Sequence, residues 1–353
     1  MIPIYRLEVD DKDITGSFNG QLSTLTITDK QGTESDELEL VVTDPQGRIA
    51  LPRRGVLIRV AIGFAGEGLI DKGTYQVDEV EHSGPPDVIR IKGRAAQLQG
   101  KIKEQREASY HGQTLGEILS GIAKRHGLTP AVDQTLGATR IGHIDQTNES
   151  DVNFVTRLGK DYGAVASVKD GHLVFVPAGA GTSASGAPLP VFTLPRSRTT
   201  NHNFTISDRE GGDAAVQAQY RDKDTAETKT VVARNADDGT QTLRRVYPTE
   251  GEAEAPAAPA GKTEGTTKTL RRVYPTEGEA EAAAVAAKAQ ASRSQHEIRI
   301  TCDHGMPELI AGQPVKLTGF RPEIDAVAWT VEDLTHTLTD GEGLQTSFTA
   351  KGA

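Results

Sequence analysis

The chain has 353 residues, of which 36% are hydrophobic and 25% charged, and a formal net charge of −10; that length suits two or three domains with their own cores. The acidic balance argues against a protein built to grip DNA or an anionic membrane, since both require a basic face. A single cysteine, Cys302, excludes an internal disulfide and any multi-cysteine zinc or iron–sulfur site, and no apolar run approaches the roughly 18 residues that span a bilayer.

The opening MIPIYRLEVDD has no basic-then-apolar signal pattern and reads straight into a strand, so a soluble product made in the cytoplasm is expected. Period-2 alternation then marks six short strands, at Ile4–Val9, Leu22–Thr28, Glu37–Thr43, Val56–Phe64, Thr74–Glu81 and Val88–Lys92. Turn-rich stretches such as DPQGRIALPRRG and SGPPD separate them. Six strands without an intervening helix imply an antiparallel barrel that hides its edges, over about residues 1–100.

The pattern changes near Lys101. Thr114–His126 puts Leu115, Ile118, Leu119 and Ile122 on one helical stripe ahead of Gly127. A second helix fits Ser150–Tyr162, with Ser150 as N-cap and Gly163 as terminator. AVASVKDGHLVFVPAG reads as a hairpin turning at Asp170-Gly171. Residues 101–180 are therefore expected to form a smaller α+β domain. After a flexible linker from Gly179 to Pro190, strand patterns resume at Phe204–Ser207, Ala214–Arg221, Thr228–Ala233, Glu297–Cys302, Pro314–Phe320, Ala326–Thr335 and Leu344–Ala350. These imply a second β-barrel over 181–353. The expected fold class is mainly β, with two antiparallel barrels flanking the α+β unit.

Candidate chemistry is sparse. The carboxylates sit mainly at turns and on the polar side of strands, and no acid/base pair stands out. Cys302-Asp303-His304 lacks the further ligands that a metal site requires. Cys302 shares a strand face with Ile298 and Ile300 and reads as a small hydrophobe. No Walker loop, nucleophile elbow or dinucleotide fingerprint occurs. Pro52-Arg53-Arg54-Gly55 and Arg244-Arg245 are isolated basic pairs without interleaved aromatics. No catalytic, cofactor-binding or metal residue is assigned. YHGQTLGEILSGIAKRHGL, near 109–128, resembles the opening of a LysM peptidoglycan-binding module. The following TPAVDQTLGATRIGHIDQTNES has no second helical stripe, so a capped amphipathic helix is the favoured reading.

IDQTNESDVNFVTRLGKDYGAVASVKDGHLVF resembles the middle region of contractile-tail hub proteins, the phage late control D family, which is related to the N-terminal hub of type VI secretion spike proteins. The pattern that carries the resemblance is Gln146, Glu149, Ser150, Asp151, Phe154, Arg157, Leu158 and Gly163. Flanking matches extend it over roughly 20–235 and 269–350. The resemblance implies a structural, non-enzymatic baseplate hub without cofactors, in the tail of a virion or bacteriocin particle. Implied partners are two further copies of the chain, a tail tube protein, a central spike protein and other baseplate proteins. A homotrimer with two barrels per chain would adapt a six-fold tube to a three-fold spike around the DNA channel. The net charge of −10 would let DNA slide along a lumen of like charge without sequence-specific binding; no membrane binding by this chain is expected. The alternative is a peptidoglycan-binding or wall-degrading tail component that uses the LysM-like stretch.

One stretch, TLRRVYPTEGEAEA, occurs twice, at 242–255 and 269–282. Two copies are too few for a stacked repeat array. The second runs into an Ala-rich helix former, expected at about 277–293, with a Thr276/Glu279 capping box. The first runs into Pro256 and Pro259, which forbid continuation. Residues 236–268 therefore read as an in-frame duplication in a weakly packed loop.

Overall fold

Alternation in the first hundred residues produces strands where it is strongest. The computed structural model describes residues 1–10, 12–18, 20–32, 35–96, 101–169, 171–182, 187–207, 215–221, 227–234, 267–274, 276–293, 296–341 and 343–352. Its first strands are β1 (Pro3–Val9), β2 (Lys12–Asp13), β3 (Leu22–Lys30), β4 (Glu37–Thr43), β5 (Leu57–Phe64), β6 (Gly68–Ser83) and β7 (Val88–Ala95). They pair antiparallel in the order β3-β4-β7-β6-β5-β1-β2. Leu7 of β1 shares one core with Leu25 and Ile27 of β3, from the far end of the row, together with Leu40, Val60 and Ile91. The sheet is thus rolled around its inward side chains.

The middle unit contains β8 (Gln105–His111), α1 (Leu115–Arg125), β9 (Thr129–Val132), α2 (Gln134–Gly137), β10 (His143–Ser150), α3 (Asp151–Tyr162), β11 (Ala164–Lys169) and β12 (His172–Pro177). Both long helices follow the sequence signals. Thr114 and Glu117 complete a capping box on α1, the Ser150 hydroxyl caps α3, and Gly163 ends α3 in the left-handed region at φ 64°. β11 and β12 form the hairpin, with β9 added in parallel. Strand β8, which shows no clear alternation in the sequence, pairs with β10. Leu115, Ile118, Leu119 and Ile122 of α1 pack with Phe154, Val155 and Leu158 of α3 in a second core.

The remaining elements are β13 (Phe192–Pro195), β14 (Thr199–Ile206), β15 (Ala215–Arg221), β16 (Thr228–Arg234), β17 (Thr267–Tyr274), α4 (Glu277–Arg293), β18 (His296–Cys302), β19 (Pro314–Thr318), α5 (Pro322–Asp325), β20 (Trp329–Thr339) and β21 (Gly343–Gly352). Strands β13, β19, β20, β21, β18 and β14 follow one another in the sheet and enclose a third core around Trp329, Ile298, Leu317 and Phe348. Cys302 is fully buried in it, as the reading of a small hydrophobe requires.

The two rolls share a sheet. β20 pairs along its length with β21, while its Asp333–Thr339 half also pairs with β3 and Trp329–Thr330 pair with β19. Leu338 and Leu344 belong to the first core, whereas Trp329, Val331, Phe348 and Ala350 belong to the third. At the seam, Thr335, Thr337 and Thr339 lie opposite Thr28, Thr26 and Thr24 on the outer face, and Leu338 lies opposite Leu25 within. Cross-strand threonine pairs of this kind stabilise a sheet by roughly 0.2–1 kcal/mol each.

β15 and β16 do not join this sheet, although the sequence reading grouped them with the second barrel. With β17, parallel to β15, they form a separate three-stranded sheet. α4 covers it, packing Ala280, Ala283 and Ala284 onto Ala218, Tyr220, Val231 and Tyr274. The helix occupies the expected 277–293 span, and Thr276 Oγ1 accepts from the Glu279 N–H at 3.3 Å. The second copy of the doubled stretch therefore supplies most of strand β17 and the start of α4. The first copy lies outside the described residues. So does the expected weakly packed loop at 236–268, except for Thr267 and Lys268, which open β17.

Candidate functional site

The residues singled out by the family pattern converge at the start of α3. A register shift in the β8–β10 pairing between Gln146 and Glu149, with Asn148 at φ 49°, turns Gln146 inward. Asp151, at the first turn of α3, has a fully buried side chain. Its Oδ1 accepts from Gln146 Nε2 at 2.9 Å, and its Oδ2 accepts from Arg125 Nη1 at 2.6 Å and contacts His126 Nε2 at 2.7 Å. Gln146 Nε2 also donates to the Glu149 carbonyl at 2.9 Å, and Tyr110 donates to Gln146 Oε1 at 3.3 Å. Burial alone would raise the Asp151 carboxyl, but the donors from Gln146, His126 and Arg125 outweigh it and hold the group below its ordinary value.

A second layer packs over this knot. Arg157 grips Glu149 through Nη2 at 2.8 Å and Nε at 3.2 Å, and donates to the Asp145 carbonyl at 2.8 Å. Its guanidinium lies 5.0 Å from the Phe154 ring centroid, and Tyr110 stacks on the same ring at 5.4 Å. Leu158 is buried below. A Cβ on Gly163 would approach the Ala286 Cβ to 3.1 Å, so the glycine serves both its left-handed φ and the close passage of α4. Across that contact, Glu279 of α4 accepts from the Gly142 N–H at 3.2 Å.

This arrangement positions rather than reacts. Asp151 is sealed from solvent and saturated with donors, so it cannot shuttle a proton to a bound molecule. Among the described residues, no three His, Cys, Asp or Glu side chains gather as metal ligands. Tyr110, Arg125 and His126 belong to the knot without any pattern in the sequence to mark them. All three lie in the LysM-like stretch, where Thr114 serves as the cap of α1; that helix runs on into β9 and the single turn α2.

A second charged cluster lies where both rolls meet the middle unit. Lys169, at the end of β11, pairs with Asp29 and lies 3.6 Å from Asp36, while Asp29 Oδ2 also accepts from the Ala311 N–H at 2.8 Å. Lys72 donates to the Leu309 carbonyl at 3.1 Å. These groups line a cleft of about 370 Å³. Burial pushes the Asp36 carboxyl up to about 6 despite Lys169 and the Lys72 amine down to about 8. His336, buried in the seam, accepts or donates at Nδ1 to Thr346 Oγ1 at 2.9 Å, and burial pushes its ring down to about 3. No local motif marked any of these five residues.

Residues 54–342 match the phage tail baseplate hub (GPD) family. A probable baseplate hub protein of Escherichia phage 186 is 36% identical, over 96% of this chain and 90% of the relative. Its counterpart in Escherichia phage P2 is 37% identical, over 99% and 92%. In structure the chain is similar to the 43 kDa tail protein of prophage MuSo2 from Shewanella oneidensis, with a TM-score of 0.68 at 15% identity over 99% of this chain and 98% of that one.

Proposed function

Because this chain belongs to the phage tail baseplate hub (GPD) family, we propose that it forms a homotrimeric ring at the base of a contractile tail. Each chain contributes two β rolls, so three chains present six similar rolls to a six-fold tube and three-fold symmetry to a central spike. The observation that carries this reading is the shared sheet. The β20–β21 hairpin places one end in each core, which makes the two rolls one stiff segment. A ring assembled from pairs of rolls needs that stiffness, because slack between paired rolls would blur the six-fold surface.

The role is structural, with shape complementarity in place of reactive groups. The tube, the spike and neighbouring baseplate proteins are the partners, in a virion tail or a phage-derived particle. DNA would cross the ring without sequence readout. On the outer face of the seam the threonine ladder is flanked by Glu39 and Glu37, opposite Thr26 and Thr28, and a wall with such carboxylates at its threonines would give phosphate little to hold. Nothing in the surroundings of Tyr110 or Thr114 favours peptidoglycan binding, as both are engaged in packing and capping.

The test is co-expression of a tagged chain with the tube and spike proteins of its own tail. Both partners should co-purify, with three copies of this chain for each spike trimer. Capture of neither would contradict the proposal.

A further inference from the structure

The outer face of the β8–β10 pair carries a cluster that the hub role leaves unused. His111 and His143 are direct cross-strand partners. Their rings stack with centroids 4.3 Å apart and 19° between planes, and their Nδ1 atoms are 3.0 Å apart. On the far side of His143, Nε2 lies 3.1 Å from Asp145 Oδ2, and Ser109 Oγ donates to Asp145 Oδ1 at 2.6 Å. The His143 and Asp145 side chains are 43% and 48% exposed, so the cluster is open to solvent.

An ionised carboxylate only accepts, so Asp145 holds the proton of neutral His143 on Nε2. His143 Nδ1 then carries a lone pair and accepts the His111 Nδ1–H, the one proton that an ion bound by both rings would displace. A carboxylate that fixes the tautomer and orientation of one imidazole nitrogen is the usual support of a metal-ligating histidine. The spacing also fits: ligand bonds of about 2.0–2.1 Å at right to tetrahedral angles separate two nitrogens by about 2.8–3.4 Å. Histidine χ2 is soft, so both rings can turn their lone pairs onto one ion without moving the strands.

We propose that His111 and His143 form a surface chelate for a late first-row divalent ion of the Zn²⁺ or Ni²⁺ class, with Asp145 as positioning residue. Imidazole nitrogens suit these ions, and two protein ligands leave the other coordination positions to water. A bound ion would tie β8 to β10 beside the register shift that carries Gln146 toward Asp151. The inference depends on this face alone, so it stands or falls separately from the ring.

The test titrates ZnCl₂, and separately NiCl₂, into the full chain against a chromophoric chelator. Wild type is compared with His111→Gln, His143→Gln, the double variant and Asp145→Asn. Melting midpoints without metal establish that each variant folds. Wild type should bind one ion per chain in the micromolar range, with affinity reduced at least about 10-fold by either histidine change. Asp145→Asn should weaken binding by about 10-fold while leaving the stoichiometry unchanged. Two results overturn the proposal: no binding by wild type below about 1 mM, or equal binding by the double variant. Either would mean that the two rings share only a proton.

Discussion

The chain has two charged clusters built on opposite plans. The knot around Asp151 draws its partners from residues 110–157, within one unit, and every donor has a defined acceptor. The junction around Lys169 draws Asp29 and Asp36 from the first roll and Ala311 from the second, so it depends on assembled tertiary structure. The first orders a single unit, and the second fastens units together. They should therefore respond differently to substitution.

The largest effect is expected at the knot. Asp151→Ala strips a fully buried carboxylate from Arg125, His126 and Gln146, and should cost about 3–5 kcal/mol in denaturant unfolding. Lys169→Met leaves Asp29 and Asp36 facing each other without their cation. Because Asp29 keeps the Ala311 N–H and Asp36 takes up a proton readily, the loss should be smaller, about 2–3 kcal/mol. Limited proteolysis should then cut first at the junction between units. If Lys169→Met proved costlier than Asp151→Ala, the contrast between the two clusters would collapse.

Smaller changes sharpen the comparison. Gly163→Ala sets a Cβ at positive φ and against Ala286, and should cost about 1–2 kcal/mol while loosening α4 from α3. Thr276→Ala removes the α4 cap for about 1 kcal/mol, measured by thermal melting.

The pH responses have opposite signs. Asp151 titrates below its ordinary value, so its contribution is present above about pH 4 and fades as pH falls through the folded-state value. Asp36 titrates near 6, above its ordinary value, so stability from this group declines as pH rises from about 4 to 6. Asp36→Asn should flatten that decline and, by keeping the uncharged form at every pH, raise stability at neutral pH by about 1–3 kcal/mol. An unchanged melting profile between pH 4 and 6 in this variant would contradict the assignment.

Legibility followed sequence distance. Strands such as Glu37–Thr43, the caps at Thr114 and Ser150, and the left-handed Gly163 depend on neighbours within a few residues, and the sequence displays them. The knot was half visible, since Gln146 through Gly163 formed a pattern while Arg125 and His126 did not announce themselves as its partners. The seam was hidden. The alternation of LTIT and LTHTLT marks two strands, but nothing local says that Thr26 faces Thr337. β15 and β16 looked like barrel strands for the same reason: alternation specifies an inward face without specifying which core receives it. β17 went unread because its residues belong to the doubled stretch, whose helix-capping end dominated the pattern.

If paired rolls assemble by threes, the mass of the native particle shows it most directly. Native mass spectrometry of the chain with its spike protein should give a complex containing three copies of the 37.7 kDa chain. A single copy per spike trimer at every concentration would contradict the account.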